Sequence, residues 1–255
     1  MSVNKKGIDV STWQGDIDWK KVKADGIEFA IIRSSFGKEN PAKQTDNKFH
    51  QNMKNAKAAG MPVGAYHYSY ATTVEDAKKE ADFFLSIIKG YQFEYPVAFD
   101  IEDPSQANLG KKLITDIIMA FCERVQSAGY YVSVYTNLDW INNRIDMNRV
   151  KVFDVWLAQW NDKPTYTGNF GMWQYTSKGA VNGISGNVDM NIAYLDYPKI
   201  IKGAGLNGYK KTETEEKCNY EVVAMEKICK EKADDLVEEL KNDGYCCAFV
   251  REIKN

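Results

Sequence analysis

Two acidic residues, Asp100 and Glu102, follow an apolar run that starts at Tyr95, and a proline stops the run at Pro104. Because side chains alternate between the two faces of a β-strand, both carboxyl groups are predicted to point to the same side, away from Ile101. Two carboxylates in one small volume repel each other, which keeps one protonated near neutral pH while the other stays ionised. A solvated acidic turn is the alternative, and the hydrophobic run before the pair disfavours it. The pair is therefore suited to acid–base chemistry.

The rest of the chain alternates between strands and helices. Short runs with strand patterns recur, and the early ones are followed by amphipathic helices that end at glycine, one of which opens with a capping-box pattern at Thr72 and Glu75. Such alternation predicts a parallel sheet, and eight units predict a closed barrel, irregular in its second half. An open doubly wound sheet is the alternative, but no G-x-G-x-x-G turn follows the first strand. The predicted strands lie within residues 7–15, 29–35, 63–70, 95–102, 130–136, 155–160, 171–176 and 186–190.

Acids also stand on the two strands predicted to close the barrel. Reactive residues of a β/α barrel collect at the C-terminal ends of its strands. Asp9 belongs to the first predicted strand and Asp189 to the eighth, so we expect both over the same mouth as Asp100 and Glu102. For Asp189 the alternative is a cap for a helix that begins near Asn191. Four converging carboxylates predict a catalytic pocket.

The same strand ends are rich in aromatic residues. Flat rings with a polar tip suit sugars, which are apolar on their faces and hydroxylated at their edges. Carboxylates with aromatic platforms therefore favour glycoside hydrolysis. A thiol protease is disfavoured because Cys122 lies within a predicted helix, and the two histidines, His50 and His67, are too few for a zinc amidase, so we expect no metal and no cofactor. The aromatic residues are Trp13, Tyr66, Tyr68, Tyr135, Trp156, Trp160, Trp173 and Tyr175.

Charge and hydropathy indicate which partners and which cellular location to expect. A net charge of −2 over 255 residues disfavours nucleic acid as a partner. No run of 18 apolar residues predicts a membrane span, and the N-terminus leads into a strand rather than an apolar signal core. We therefore expect a protein made in the cytoplasm without a signal peptide and without membrane attachment.

Seven segments occur in a specific order, and they are residues 7–15, 64–68, 99–102, 134–137, 156–160, 172–175 and 183–191. In this order they resemble the family-25 glycoside hydrolases, the lysozymes (muramidases) of bacteria and many bacteriophages. The resemblance implies an irregular eight-stranded TIM-like β/α barrel that cleaves the β-1,4 bond between N-acetylmuramic acid and N-acetylglucosamine in peptidoglycan. It makes Glu102 the general acid, Asp100 its partner, and Asp9 and Asp189 flanking acids. The residues expected to bind substrate are Tyr66, Tyr68, Tyr135, Trp156, Gln159, Trp173 and Gln174.

The sequence is compatible with two mechanisms and with two alternative functions. Asp100 acts either as a nucleophile or as a stabiliser of an oxazolinium formed by the substrate's 2-acetamido group, and both routes predict retention. A chitinase-like glycosidase would carry D-x-x-D-x-D-x-E, but Tyr95 and Ala98 occupy its first two acidic positions. A sugar-binding barrel without catalysis would not need the complete acid set.

Composition also divides the chain. Residues 1–202 are predicted to form the catalytic barrel, residues 203–217 a linker, and residues 218–255 a small, mildly acidic β-α-β module. We expect this module to bind the cell wall or to associate with a second copy, because so small a unit is marginal alone. The missing signal peptide and two-part layout favour a phage endolysin that reaches the wall at host lysis. Four of the five cysteines lie in the module and are expected to be reduced thiols, namely Cys218, Cys229, Cys246 and Cys247.

Overall fold

A computed structural model describes residues 3–211 together with residues 232, 234–235 and 237–239. The chain divides into two compact units, Met1–Thr212 and Glu213–Asn255. The six described residues of the second unit are helical, in the segment where the sequence predicts a helix. The two strands predicted for that unit and its four cysteines lie outside the described residues.

The first unit is a closed barrel of eight strands in chain order, as predicted. Their inner and outer faces follow the alternation of side chains along each strand. On the first strand Ile8 and Val10 pack outward against helices while Asp9 faces inward. The strands are β1 (Lys5–Val10), β2 (Phe29–Phe36), β3 (Val63–Tyr68), β4 (Val97–Asp100), β5 (Val132–Asn137), β6 (Asp154–Ala158), β7 (Met172–Gly179) and β8 (Val188–Ala193).

The last strand runs against the others. Neighbouring strands from β1 to β7 are parallel, but β8 is antiparallel to both β7 and β1. The prediction of a parallel sheet is therefore wrong at this strand, which lies in the half of the barrel predicted to be irregular. Residues 180–187 are too few for the crossover that a parallel pair requires, and a short connection suits an antiparallel pair.

Helices surround the first half of the barrel, and after β6 two connections contain no helix, as the predicted irregularity requires. The two longest helices, α4 (Val74–Ile88) and α5 (Lys111–Ser127), pack against each other and against the sheet. The helix predicted after Thr72 forms, but its cap is Thr73, whose hydroxyl accepts the amide N–H of Asp76 at 3.1 Å. The helices are α1 (Trp19–Ala24), α2 (Pro41–Gln44), α3 (Phe49–Ala58), α4 (Val74–Ile88), α5 (Lys111–Ser127), α6 (Met147–Val150) and α7 (Tyr197–Ala204).

Aromatic rings fill the barrel interior below the acids. Phe29 stacks on Tyr95 with ring centroids 4.2 Å apart. Gly7 makes this possible because a Cβ at that position would collide with the Phe29 ring. None of the described helices is long and apolar enough to cross a membrane.

The segment predicted as the start of a linker belongs to the barrel unit instead. Helix α7 continues to Ala204, and Asn207 is fully buried beneath the barrel. Tyr209 donates its hydroxyl to Glu94. The glycines at 203, 205 and 208 mimic linker composition, but Gly205 and Gly208 have positive φ and serve tight turns.

Candidate active site

Asp9 and Asp189 are direct neighbours across the seam of the barrel, the β1–β8 pair at which the sheet closes. Asp9 stands near the C-terminal end of β1, and Asp189 is its register partner on β8. The prediction placed Asp189 at the C-terminal end of its strand, whereas it is the second residue of β8, and Asn191 lies in the same strand rather than in a helix. Because β8 runs antiparallel, its beginning lies at the end of the barrel where the other strands finish. The two acids therefore meet, as expected, for a different geometric reason.

Asp100 and Glu102 occupy the same mouth. Strand β4 ends at Asp100, which pairs in register with Tyr68 on one side and Tyr135 on the other. Asp100 is 5% exposed, and its Oδ1 has no hydrogen-bond partner among the described residues. Glu102 lies just beyond the strand, partly buried, and its Oε2 accepts the amide N–H of Asn137 at 3.2 Å. One acid is thus enclosed and the other is accessible.

Burial and mutual repulsion hold protons in this cluster. Burial raises the pKa of Asp100 well above its usual range, and Glu102 and Asp9 raise it further, against the opposing charge of Arg33. Burial also raises the pKa of Glu102, although the hydrogen bond from Asn137 acts in the opposite direction. Near neutral pH the cluster therefore binds protons that isolated carboxylates would release. Since both pKa values rise, the proton-donor role of Glu102 stays a prediction.

The acids at the seam are perturbed as well. Burial, with the charge of Asp189, raises the pKa of Asp9 to about 8, while hydrogen bonds from Asn191 and Gln174 lower it. Burial raises the pKa of Asp189 to about 6. Glu102 also raises the pKa of Asp9, and Asp189 raises the pKa of Glu102. Because Glu102 and Asp9 both raise the pKa of Asp100, the four carboxylates form one electrostatic cluster.

Three of the predicted tyrosines surround the acids. Asp9, Asp100 and Asp189 all raise the pKa of the buried Tyr66 hydroxyl, after burial itself. The hydroxyl of Tyr68 donates to Asp103 at 3.1 Å. Tyr135, Tyr66 and Tyr68 thus lie within electrostatic reach of the cluster.

Of the other predicted substrate-binding residues, some lie inside the barrel near the acids and others lie on its outer side. Gln174 is buried and reaches Asp9, and Trp156 is buried inside the barrel. Trp173 lies on the opposite face of β7, packed in an outer cluster. Its indole N–H donates to the carbonyl oxygen of Gln159 at 2.7 Å, and the Gln159 side chain binds Thr165. The structure therefore does not bring Trp173 or the Gln159 amide to the acids.

Four residues at the mouth were not predicted as site residues. Trp13 and Trp160 are 81% and 61% exposed, unlike most aromatic residues of the chain. Asn137 and Asn191 bind Glu102 and Asp9 through their side-chain amides. The sequence gives only a weak indication of these four residues. Both asparagines lie in strands that carry or adjoin the acids, and both tryptophans belong to the aromatic residues at the strand ends.

Thiol and histidine chemistry lie elsewhere. Cys122 is buried within α5, where burial raises the pKa of its thiol. His67 is fully buried on the outer face of β3, where its Nδ1 is 2.9 Å from Ser35 Oγ and its Nε2 is 3.3 Å from Glu80 Oε2. Within the part of the chain that the structure describes, no group of three or more His, Cys, Asp or Glu residues is arranged to hold a metal ion.

A closed β/α barrel with converging carboxylates at the C-terminal mouth defines a class of enzymes that includes many glycosidases. The family profile described as glycosyl hydrolases family 25 matches residues 8–184. The chain belongs to this family, as the sequence resemblance predicted.

Similarity to individual proteins supports this family membership. The chain is similar to the autolytic lysozyme of Clostridium acetobutylicum, with 31% identity over 73% of this chain and 55% of the relative. It is 33% identical to lysozyme M1 of Streptomyces globisporus over 73% of this chain and 66% of that protein. The chain thus matches about half to two thirds of the length of these relatives. The solved structure of the CTP1L endolysin has a TM-score of 0.69 and 33% identity, and the match covers 78% of this chain and 70% of that one.

Proposed function

We propose that this chain is a lysozyme that hydrolyses the β-1,4 bond between N-acetylmuramic acid and N-acetylglucosamine in bacterial peptidoglycan. The observation that carries the proposal is the four-carboxylate cluster at the barrel mouth, with the exposed Trp160 connected to Asp9 through Gln174. Two relatives named lysozymes support the choice of peptidoglycan as substrate.

Glu102 is the proton donor in this proposal. It lies beyond the end of β4, partly exposed, so a glycosidic oxygen can reach it. Its raised pKa keeps the carboxyl protonated closer to neutral pH, as a general acid requires. Asn137 holds one carboxylate oxygen and so orients the group. In the first step Glu102 gives its proton to the leaving oxygen, and in the second its carboxylate takes a proton from water.

Asp100 supports the sugar that becomes positively charged. Its buried Oδ1 lacks a partner among the described residues, and an unpaired buried carboxylate oxygen is costly. The N–H of a substrate 2-acetamido group would supply the missing donor. This favours attack of the acetamido oxygen on C1, which breaks the glycosidic bond and forms an oxazolinium that water then opens with retention. Direct attack by the Asp100 carboxylate on C1 is the alternative, and it also predicts retention.

Replacing Glu102 by glutamine tests the assignment. We expect loss of lysis of purified walls by at least about 100-fold with unchanged thermal stability, because the shape of the side chain is kept and its acid function is lost. Glu123→Gln, the same change on the exposed side of α5, is the matched control. Near-normal lysis by Glu102→Gln would contradict the role. New reducing ends should be muramic acid, and glucosamine ends would contradict the choice of bond.

The second unit is proposed to bind the cell wall, or to join two copies of the chain. Its sequence places it after the catalytic barrel, and the boundary for a deletion is Thr212, since Asn207 and Tyr209 pack onto the barrel. A chain truncated after Thr212 should cleave soluble peptidoglycan fragments normally and lyse whole cells more slowly. Equal lysis of whole cells would count against wall targeting, and light scattering of both chains measures association.

A further inference from the structure

Two buried amide side chains converge on one oxygen of Asp9. Gln174 donates its Nε2–H to Asp9 Oδ2 at 2.9 Å, and Asn191 donates its Nδ2–H to the same oxygen at 2.8 Å. Both amides are buried on the inner face of the barrel. No step of the proposed reaction uses either residue, so their arrangement needs its own explanation.

Indole N–H groups determine which way both amides point. Trp156 donates to Asn191 Oδ1 at 2.8 Å, and Trp160 donates to Gln174 Oε1 at 3.0 Å. An indole N–H can donate a hydrogen bond but cannot accept one. The oxygen of each amide must therefore face its tryptophan, and the NH₂ group must face Asp9. An amide NH₂ in turn can only donate, so Asp9 Oδ2 must act as an acceptor.

A second donor reinforces the orientation of Gln174. The hydroxyl of Tyr135 donates to the same Oε1 at 3.0 Å, so the amide oxygen has two donors and its NH₂ group faces Asp9. The sequence prediction made Gln174 a substrate-binding residue, but its amide oxygen and nitrogen are both engaged within the protein. The contacts favour a role in which Gln174 acts through Asp9.

We propose that Gln174 and Asn191 are positioning residues that hold Asp9 Oδ2 as an acceptor and favour the charged form of the Asp9 carboxyl, and that Trp160 maintains the orientation of Gln174 from the rim. We refer to these three residues as the amide clamp. Two donors on Oδ2 leave no place for a proton on that oxygen and favour the charged carboxylate, against the burial and the neighbouring acids that raise the pKa of Asp9 to about 8. When Asp9 is charged, it favours retention of the protons on the acids of β4. The inference rests on the proposed function for its kinetic consequence.

Other groups that face Asp9 act on the same equilibrium. Asp189 of β8 and both acids of the β4 end oppose its negative charge. Arg33 of β2 acts on Asp100 and Tyr66 with the opposite sign. The titratable groups that face Asp9 are therefore Asp189, Asp100, Glu102, Tyr66 and Tyr135. Because most of them disfavour a charged Asp9, the amide clamp is the local feature that favours it.

Trp160 connects the clamp to the surface. Its ring is 61% exposed while its N–H is bound to Gln174. The variant Trp160→Phe therefore keeps a ring for substrate but removes the donor. Trp19→Phe is the matched control, because the buried Trp19 Nε1 in α1 has no hydrogen-bond partner among the described residues.

The test combines pH–rate profiles with direct titration of Asp9. Carbon-13 NMR of the Asp9 carboxyl and kcat/KM on soluble peptidoglycan fragments are measured for wild type, Gln174→Met, Trp160→Phe and Trp19→Phe. In Gln174→Met the Asp9 titration should move up by about one pH unit, the size expected for one hydrogen bond to a charged group. The basic limb of the pH–rate profile should fall, because a less charged Asp9 retains the catalytic proton of Glu102 less strongly.

Trp160→Phe should move the Asp9 titration and the basic limb in the same directions by a smaller amount, since Tyr135 still holds Gln174. Trp19→Phe should move neither. An Asp9 titration in Gln174→Met that coincides with wild type overturns the clamp, even in a fully active enzyme. If Gln174→Met does not fold, Trp160→Phe at its exposed position decides the question by the same criterion. A wild-type protein that releases no reducing ends from peptidoglycan would refute the proposed function, while the Asp9 titration would still test the clamp.

Discussion

Replacing Asn207 with alanine should destabilise the barrel unit by about 4 kcal/mol. The side chain is fully buried and makes three hydrogen bonds to backbone groups. Tyr131 donates its amide N–H to Oδ1 at 2.7 Å. Nδ2 donates to the carbonyl oxygens of Phe93 at 3.2 Å and Tyr95 at 2.9 Å. One side chain therefore joins the segments that lead into β4 and β5.

The magnitude follows from what alanine leaves behind. It removes all three hydrogen bonds, and each buried backbone group without a partner costs about 1–3 kcal/mol, so the lower end gives about 3 kcal/mol. Asn207 also has φ = 55°, in the left-handed region, where asparagine is tolerated and alanine costs about 1 kcal/mol more. Asn207→Gly removes the hydrogen bonds without this strain and should cost about 3 kcal/mol.

Urea unfolding followed by tryptophan fluorescence measures these differences. Asn182→Ala, at an exposed loop position, is the control and should stay within about 0.5 kcal/mol of wild type. Turnover of soluble fragments by the folded variants should be unchanged, because Asn207 packs at the N-terminal ends of the strands, opposite the acids. A loss below about 1 kcal/mol for Asn207→Ala would refute the reasoning and return this segment to the linker.

Two further predictions concern titration. Asn137→Ala removes the hydrogen bond that lowers the pKa of Glu102, so the basic limb of the pH–rate profile should move to higher pH, and an unmoved limb would separate Asn137 from the acid. Burial raises the pKa of Asp154 to about 6, so its unfavourable contribution grows as pH rises from about 4 to 6. Asp154→Asn, which resembles the protonated form, should exceed wild type in stability by up to about 3 kcal/mol at pH 8 and match it at pH 4, and equal unfolding midpoints at both pH values would contradict this.

The sequence alone was sufficient for the barrel, the order of its strands and its acid pair. These features depend on local patterns, namely apolar runs of strand length, glycines that end helices, and a D-x-E at a strand end. The family resemblance rests on the same ordered segments. The places of His67 within a strand and of Cys122 within a helix are also readable from periodicity, and both residues are buried there.

Only the tertiary structure decided the direction of β8. The sequence shows a strand near Asp189 but carries no local mark of its orientation, which depends on pairing with both β7 and β1. The error in strand direction and the error in position of Asp189 compensated, so the acid was placed at the right end of the barrel. Likewise, the composition around Asn207 predicts a linker, but burial against distant segments made it part of the core.

The hydrogen bonds of the acids likewise could not be predicted from the sequence. Asp9 is separated by 165 residues from Gln174 and by 182 from Asn191, and no periodicity relates positions so far apart. Barrel closure brings them within hydrogen-bond distance, and burial then raises the pKa values that make the cluster reactive. The sequence by itself determined which residues could do acid–base chemistry. The closed barrel decided which of them share one pocket, because proximity and low dielectric are properties of the folded chain.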